Sequence, residues 1–274
     1  MKFYERSTGG STGTPMKYRV YKFDSFFSAA TVYREWGYAN YELGYRMVIL
    51  GGTSLVNIGK KSNLVPKIHE TARNIRKLSS FDMSDKEMKK YVNVIKSFKP
   101  KFIYGYPSAI HFLSTWIENH HVRIYSPLAV FTTAEKLYPN MRKKIEEVFN
   151  CDVYDCYGLN DGGVSAYECS EHNGLHIDAE RSIMEIVDEN GKQLENGEGE
   201  IIATSLYNYA MPFIRYDTGD LGHIIDDDCG CGKPYKLLKE LVGRSVDILV
   251  TPEGKNVHGW FFLYIFWILQ TIGK

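Results

Sequence analysis

Four short polar segments combine glycine with hydroxyl, carboxylate or guanidinium side chains, a combination suited to binding anions and sugar hydroxyls. The first, residues 7–15, holds three glycines and five Ser or Thr hydroxyls. Its backbone N–H groups can approach an anion closely, and the hydroxyls add donors. It lacks the Gly-Lys-Ser/Thr ending of a Walker A loop. Taken alone, the segment is equally well explained as a flexible terminus.

The other three segments place a charged side chain beside a glycine and a predicted strand. Residues 157–162 (Tyr-Gly-Leu-Asn-Asp-Gly) follow a predicted strand, and open α/β sheets bind ligands at the carboxyl ends of strands. Asp220 could accept hydrogen bonds from a diol, and Arg244 follows Gly243 just before another strand. Each segment alone also fits an ordinary polar turn.

Three late cysteines and a histidine form a candidate metal site. Cys169 lies about sixty residues before Cys229 and Cys231, and both His172 and His176 follow it closely. Three thiolates and one imidazole suit tetrahedral Zn²⁺, and a closed four-ligand site is structural. The alternative is unliganded thiols in a turn. His172 has zinc-finger-like spacing, so the spacing leaves both histidines open.

The elements that position these segments alternate between strand and helix in the first half of the chain. The periodicity predicts strands over 47–50, 102–104, 128–132 and 152–155, and helices over 24–41, 85–99, 107–119 and 140–149. Ser84 and Glu87 have the spacing of a capping box for the second helix, and Pro107 suits a first helical position. Strands alternating with helices predict an α/β fold with a mainly parallel sheet.

After residue 158 the pattern changes to strands and turns. We expect a hairpin of 183–187 and 192–194 closed around Asn190-Gly191, and further strands over 199–204 and 221–225. The second part is therefore predicted to be β-rich and barrel-like. The expected divisions, within one continuous body, are an α/β part with the glycine loop (1–166), a β-rich part with the zinc cluster (167–250) and the start of a C-terminal region (251–274).

Composition limits the class of protein. The 274 residues carry no net charge and are 44% hydrophobic and 24% charged, which excludes disordered, collagen-like and disulfide-framework chains. The longest apolar run, residues 260–269, is about half the ~20 residues that span a bilayer. No secretory signal is recognised. The odd count of five cysteines favours a reducing, cytoplasmic location.

Charge is unevenly distributed along the chain. Residues 60–101 hold twelve basic and four acidic side chains, which is compatible with a nucleic-acid patch or with a solvated helical face. The basic residues lack interleaved aromatics and a groove-reading motif. We therefore expect no nucleic-acid partner.

Together, the order and spacing of the four segments resemble the adenylate-forming superfamily of acyl-CoA synthetases, luciferases and peptide-synthetase adenylation domains. Residues 8–15 are similar to its phosphate loop, although Gly9 stands where a Ser is usual. Residues 157–161 are similar to its Tyr-Gly-x-Thr-Glu motif, with Asn160 and Asp161 in the last two places. Residues 216–221 resemble its Tyr-x-Thr-Gly-Asp-Leu motif, and Gly243-Arg244 its hinge.

Further segments resemble one branch, the phenylacetate-CoA ligases and their relatives in capsular polysaccharide biosynthesis. They are Tyr-Gly-Tyr-Pro-Ser at 104–108, Thr-Thr-Ala-Glu at 132–135, and the cysteine-containing stretches 168–177 and 229–232. The resemblance covers nearly the whole chain. It favours His176 over His172 as the fourth zinc ligand.

The resemblance implies ATP, Mg²⁺ and a small carboxylate as ligands, with CoA as a candidate acceptor. Asp161 would ligate Mg²⁺, and Glu135 would lie near the acyl or adenine side. The nucleotide would be held by Thr8, Gly10, Ser11, Thr12 and Gly13 at the phosphates, Tyr157 and Gly158 at adenine, and Asp220 and Arg244 at the ribose. The implied reaction is attack of the carboxylate on the α-phosphate with release of pyrophosphate.

Two features of the relatives have no counterpart in these 274 residues. The relatives carry a segment before the phosphate loop, and a small C-terminal domain whose lysine contacts the reacting carboxylate. We therefore expect a fragment, a split subunit or a degraded copy of such a ligase, in which residues 260–269 need a separate partner chain or a second copy to cover them. The alternative is a non-catalytic, nucleotide-binding and zinc-stabilised interaction module that requires a partner.

Overall fold

The computed structural model describes residues 2–7, 16–52, 55–56, 68, 70–244, 248–250 and 256–258, and at 244, 248–250 and 256–258 only the backbone is described. The predicted glycine loop at 8–15 and the apolar run at 260–269 lie outside this part of the chain. In the described part, no helix is long and apolar enough to cross a membrane.

A sheet of eleven strands organises the molecule, and its first five strands are parallel. These are β3 (Met47–Gly51), β4 (Ile75–Ser79), β5 (Phe102–Gly105), β6 (Ala129–Thr133) and β7 (Asp152–Gly158). They lie in the order β7-β6-β5-β3-β4. Every residue of β3 is buried, as expected for a parallel strand that is covered on both faces.

Four helices that lie wholly within the described residues cover the parallel strands. They are α1 (Asp24–Trp36), which continues into a 3₁₀ turn at Gly37–Ala39, α2 (Asp85–Phe98), α3 (Pro107–Asn119) and α4 (Pro139–Phe149). Helices α2, α3 and α4 pack on one face of the sheet, whereas Trp36 of α1 packs on the other, stacked on Phe131 at 5.4 Å. Helix α2 buries Met88, Tyr91, Val92 and Ile95, the i, i+3, i+4, i+7 pattern of one helical face.

The remaining strands of the large sheet are antiparallel. They are β8 (Ser165–Glu168), β9 (Leu175–Ile177), β10 (Ser182–Val187), β11 (Gly197–Ser205), β12 (Tyr216–Ile225) and β13 (Leu237–Arg244). They continue from β7 in the order β8-β9-β13-β12-β11-β10. Two separate hairpins complete the fold, β1 (Phe3–Ser7) with β2 (Lys17–Tyr21), and β14 (Ile248–Val250) with β15 (Asn256–His258).

The predicted α/β fold with a parallel first part and a β-rich second part is confirmed. The expected boundary at residues 166/167 falls inside β8, which pairs with strands on both sides. Among the described strands no backbone pairing closes the second part into a barrel, because β10 ends the sheet with β11 as its only neighbour there.

One local prediction was wrong and another was met only in part. The capping box at Ser84 is not formed: its backbone N–H bonds to Asp82 Oδ1 at 3.0 Å, and its side chain makes no cap hydrogen bond. The chain does turn back around Asn190-Gly191, where Gln193 bridges Val187 and the N–H of Leu194 donates to the carbonyl of Ile186. The expected hairpin is limited to this closed end, and the partner of β10 along its whole length is β11.

Candidate functional site

The carboxyl ends of β5 and β6 meet at one edge of the sheet, where Glu135 lies. Its Oε2 accepts a hydrogen bond from the backbone N–H of Ser108 at 3.1 Å, in the first turn of α3. A carboxylate there is favoured by the unpaired N–H groups and the helix dipole. The next residue, Lys136, bonds to Glu240 at 2.9 Å and to the carbonyl of Val242 at 3.2 Å. The loop that carries Glu135 is therefore tied to β13.

Two tyrosine–carboxylate hydrogen bonds join the end of β7 to the start of β12. The hydroxyl of Tyr157 donates to Asp220 Oδ2 at 2.9 Å, and the hydroxyl of Tyr216 donates to Asp161 Oδ2 at 3.1 Å. Tyr157 and Asp220 are each only 7% exposed. Burial, and then the Asp220 carboxylate, raise the pKa of Tyr157 well above its usual range, so the phenol stays protonated and donates. The predicted magnesium and ribose residues therefore lie in one polar site.

The backbone around Asp220 is held by a turn. Its N–H donates to Thr218 Oγ1 at 3.1 Å, and that hydroxyl donates to the carbonyl of Ile201 at 2.8 Å. Gly219 has a φ of +72°, a value that glycine adopts without strain. Asp220 lies opposite Arg244 in the register of β12 and β13, so the predicted ribose pair sits on neighbouring strands.

The hairpin of β1 and β2 carries the predicted phosphate loop between its strands. The last pair in the described register of its two strands is Ser7 and Lys17. Tyr18 of β2 packs on Phe213 (ring centroids 6.2 Å apart), which contacts Tyr216 at 4.9 Å. Through these ring contacts the hairpin adjoins Tyr216, the tyrosine that bonds to Asp161, and burial and the Asp161 carboxylate raise the pKa of Tyr18. The loop residues themselves, 8–15, lie outside the described part.

A buried ionic network under β7 was missed by the sequence analysis. Arg142 of α4 donates two hydrogen bonds to Glu168, at 2.9 and 2.7 Å, and Glu168 also accepts from the N–H of Asp155 at 2.8 Å. The Asp155 carboxyl accepts from Thr132 at 2.5 Å, and burial raises its pKa to about 6. A single acid inside a predicted strand gave no signal for this network. Asp155 lies two residues before Tyr157, and the network links β6, β7 and α4.

The structure brings Cys169, His176, Cys229 and Cys231 together, with one ligand atom from each residue within 4.8 Å of the others. Cys169 Sγ lies 3.6 Å from Cys229 Sγ, and Cys231 Sγ lies 3.3 Å from His176 Nε2. His172 instead places Nδ1 3.4 Å from a Glu168 oxygen. Of the two histidines left open by the sequence, His176 is the one in the cluster.

The donor set of the cluster fits structural zinc. Three thiols and one imidazole are the ligands of closed tetrahedral sites. Burial opposes ionisation of Cys231, but the backbone N–H of Lys233 and the two neighbouring thiols lower its pKa overall. His176 Nδ1 is buried without a hydrogen-bond partner in the described structure, which leaves Nε2 as the nitrogen that faces Cys231.

A cleft of about 240 Å³ adjoins residues 157–161, since Asn160 forms part of its wall. Ser25, Ser28 and Val32 of α1 form another part. A buried ion pair lies at the cleft, with Arg181 Nη2 3.1 Å from Asp24 Oδ2. No motif in the sequence indicated this cleft.

Comparison with known proteins finds similar proteins under two names, CapK and phenylacetate-coenzyme A ligase. No protein-family model matches the chain. The chain is 27% identical over 256 residues to the protein CapK of Staphylococcus aureus, covering 92% of this chain and 55% of CapK. It is 31% identical over 177 residues to the phenylacetate-coenzyme A ligase of Thermus thermophilus (61% of this chain, 39% of the ligase). For the Escherichia coli ligase of the same name the identity is 32% over 184 residues (64% and 41%).

Solved structures with a similar fold include acyl-CoA ligases. A 2-hydroxyisobutyryl-CoA ligase in its postadenylation state, in complex with an acyl-AMP, matches with a TM-score of 0.73 at 19% identity over 93% of this chain and 54% of that one. An open form of that ligase with 2-HIB-AMP and CoA gives 0.70 at 20% identity (93% and 60%). The anthranilate CoA ligase AuaEII with anthranoyl-AMP gives 0.61 at 16% (93% and 49%). The chain thus spans about half the length of CapK and about two fifths of the phenylacetate-coenzyme A ligases.

Proposed function

We propose, from the premise that this chain belongs to the adenylate-forming superfamily on its phenylacetate-CoA ligase and CapK branch, that it binds ATP with Mg²⁺ for the activation of a carboxylic acid. The observation that carries the proposal is the meeting of Asp161 and Asp220 at the joined ends of β7 and β12. The superfamily resemblance assigns these two residues to the metal and the ribose. Two distant motifs thus converge on one polar site.

In the proposed reaction a carboxylate oxygen of the substrate attacks the α-phosphorus of ATP. The new P–O bond gives an acyl adenylate, and the bond to the β-phosphate oxygen breaks to release pyrophosphate. Catalysis of such transfers rests on positioning and on neutralising phosphate charge. Asp161 would hold the Mg²⁺ that supplies that neutralisation, because carboxylate oxygens are its preferred protein ligands.

The nucleotide would lie across the end of β7, the start of β12 and the end of β13. Asp220 would accept hydrogen bonds from the ribose hydroxyls, with Arg244 on the neighbouring strand. Thr8, Gly10, Ser11, Thr12 and Gly13 would hold the phosphates, and Tyr157 and Gly158 would border adenine. Since Tyr157 is only 7% exposed and its hydroxyl donates to Asp220 at 2.9 Å, it would act on the site through that hydroxyl as well.

Glu135 would act from the acyl or adenine side of the site. Its bond to the first turn of α3 and the tie from Lys136 to β13 hold this loop beside the other motifs. The cleft beside Asn160 would take the organic part of the carboxylate substrate, because it borders the segment that carries Asp161. We propose CoA as the acceptor of the acyl group, because the phenylacetate-coenzyme A ligases that the chain resembles are named for it.

We further propose that Cys169, His176, Cys229 and Cys231 hold a structural zinc ion. The closed four-ligand set leaves no position for substrate, so the ion would stabilise the fold and take no part in the reaction. The cluster ties the turn after β8 to β9 and to the turn before β13.

A link to polysaccharide assembly stays a prediction from the sequence resemblance. A cytoplasmic location stays a prediction from the cysteine count, and a separate partner chain or a second copy over residues 260–269 stays a prediction from that apolar run. The alternative of a non-catalytic interaction module is less favoured, because the solved neighbours described above are ligases.

The test of the proposal is calorimetric titration of the chain with ATP and Mg²⁺, compared with its Asp220→Ala variant. Loss of a hydrogen bond to a charged group typically costs about 1.5–3 kcal/mol, so the variant should bind ATP more weakly by that amount. Asp226→Ala, which removes an exposed carboxylate just after β12, is the matched control and should not change binding. An unchanged dissociation constant in Asp220→Ala would remove Asp220 from the ribose site.

A further inference from the structure

The two motif segments at the site have the same internal spacing and exchange their side chains. In each, a tyrosine precedes an aspartate by four residues: Tyr157 and Asp161 at the end of β7, Tyr216 and Asp220 in β12. Each tyrosine donates to the aspartate of the other segment, at 2.9 Å from Tyr157 and 3.1 Å from Tyr216. The two bonds form a crossed pair.

These bonds join strands that are not neighbours. Three strands, β8, β9 and β13, lie between β7 and β12 in the sheet. Four strand spacings of about 4.8 Å each would separate them by roughly 19 Å in a flat sheet. Side chains in hydrogen-bond contact therefore require the antiparallel part to curl until β12 faces the end of β7. The crossed pair of hydrogen bonds therefore holds β12 against the end of β7.

The curl is packed from inside by apolar side chains of the intervening and flanking strands. Tyr157 belongs to this core, together with Ile177, Ile201, Ala203 and Leu238. A Cβ added to Gly162 would approach Ala203 Cβ to 2.6 Å, so the turn after β7 lies directly against β11. The tyrosine hydroxyls are thus presented to the aspartates by a packed scaffold, a condition for fixing a polar site accurately.

We infer that Tyr157 and Tyr216 are positioning residues, each fixing the carboxylate contributed by the opposite segment: Tyr157 orients Asp220 toward the ribose, and Tyr216 orients Asp161 toward Mg²⁺. This inference rests on the proposed function. A neutral hydroxyl donor suits the task, because it fixes a carboxylate by a charge-assisted bond without neutralising it. An arginine in the same place would compete with Mg²⁺ and with the sugar hydroxyls.

The two tyrosine variants should each affect the binding of a different ligand, the ribose or Mg²⁺. Tyr157→Phe should lower the contribution of the ribose hydroxyls to binding and leave the Mg²⁺ requirement unchanged. Tyr216→Phe should raise the Mg²⁺ concentration needed for half-maximal ATP binding and leave the ribose contribution unchanged. A purely structural role for either tyrosine would weaken all nucleotide binding in proportion and move neither ratio.

The experiment measures dissociation constants of the 274-residue chain for ATP and for 2′,3′-dideoxy-ATP, over a range of Mg²⁺ concentrations. Wild type should prefer ATP by about tenfold or more, the magnitude of a hydrogen bond to a charged group. Asp220→Ala should lose that preference, and Tyr157→Phe should retain only part of it. In the double variant, Tyr157→Phe should add nothing to Asp220→Ala, as expected when one residue acts through the other.

Tyr91→Phe is the matched control, because Tyr91 is also buried and donates its hydroxyl, in this case to the carbonyl of Ser79 at 2.7 Å. It should change neither ratio. Wild-type binding with unchanged ratios in both tyrosine variants would overturn the inference while leaving the proposed function in place. Absence of ATP binding by wild type would overturn both. Because Tyr216 is only half-buried, its variant tests the Mg²⁺ arm even if Tyr157→Phe does not fold.

Discussion

The carboxylates of the candidate site and the carboxylate of Glu168 in the buried network have different hydrogen-bond donors. Asp161 and Asp220 accept from tyrosine hydroxyls, which leave their charge in place. Glu168 lies in a bidentate bond with Arg142, which neutralises it inside the protein. The first arrangement suits ligand binding, whereas the second fixes β7 to α4.

Asp155 gives a pH-dependent prediction. Its folded pKa of about 6 lies above the ordinary value of 3.8, so the folded state binds this proton more tightly than the unfolded state. The stability that this provides is present below pH 3.8 and is lost as the pH rises through 6. In Asp155→Asn the side chain stays neutral, so between pH 4 and 7 the variant should gain roughly 1–3 kcal/mol relative to wild type.

Urea unfolding at several pH values measures this difference. Asp152→Asn, at the exposed start of the same strand, is the control and should show a smaller change with pH. A constant offset between Asp155→Asn and wild type across the range would contradict the raised pKa.

The zinc proposal is tested at Cys231. Purified protein never exposed to chelator should contain close to one zinc per chain, and Cys231→Ser should lose it. Because structural zinc contributes folding free energy directly, the variant should also lose several kcal/mol of stability. Cys151→Ser, a thiol outside the cluster, should keep the metal. Wild-type protein without zinc would rule out the site.

At the scale of strands and helices, sequence signals correctly predicted the elements that are determined by neighbouring residues in the chain. Pro107 begins α3 as expected, and the buried apolar run after residue 46 forms β3. The predicted hairpin of β10 with residues 192–194 is present only at its closed end, and the full-length pairing of β10 with β11 was not predicted. The curl that brings Tyr157 to Asp220 could not be predicted, because it depends on the order of strands far apart in sequence.

Close approach of β3 and β5 gives a prediction at Gly105. A Cβ there would lie 2.0 Å from the carbonyl oxygen of Leu50, so Gly105→Ala must push the two strands apart at their carboxyl ends. Overpacking of this kind typically costs about 1–3 kcal/mol. The control is Gly37→Ala in the 3₁₀ turn, where nothing lies within 4 Å of the added Cβ, and which should be neutral or slightly stabilising. Equal unfolding midpoints for the two variants would contradict the strand packing described.

At the scale of the whole molecule, the chain covers about two fifths of the phenylacetate-coenzyme A ligases it matches. We therefore predict that the 274 residues tested alone bind ATP but release pyrophosphate near the background rate with any carboxylate. The resemblance implies that in the relatives a lysine of a C-terminal domain contacts the reacting carboxylate, and a reaction measured without one such preorganised charge is typically about 10²–10³ slower. Adding the C-terminal domain of a relative as a separate polypeptide should raise the rate. Fast adenylation by the chain alone would contradict this prediction.

In the proposed function, one ATP–Mg²⁺ site is formed jointly by the end of β7 and the start of β12. Amide hydrogen exchange with and without ATP and Mg²⁺ tests this arrangement, because it locates the bound nucleotide along the chain. We predict slower exchange at residues 157–161 and 216–220 together, with the effect lost in Asp220→Ala. Unchanged exchange at both segments, or protection confined to a region such as residues 85–101, would contradict it.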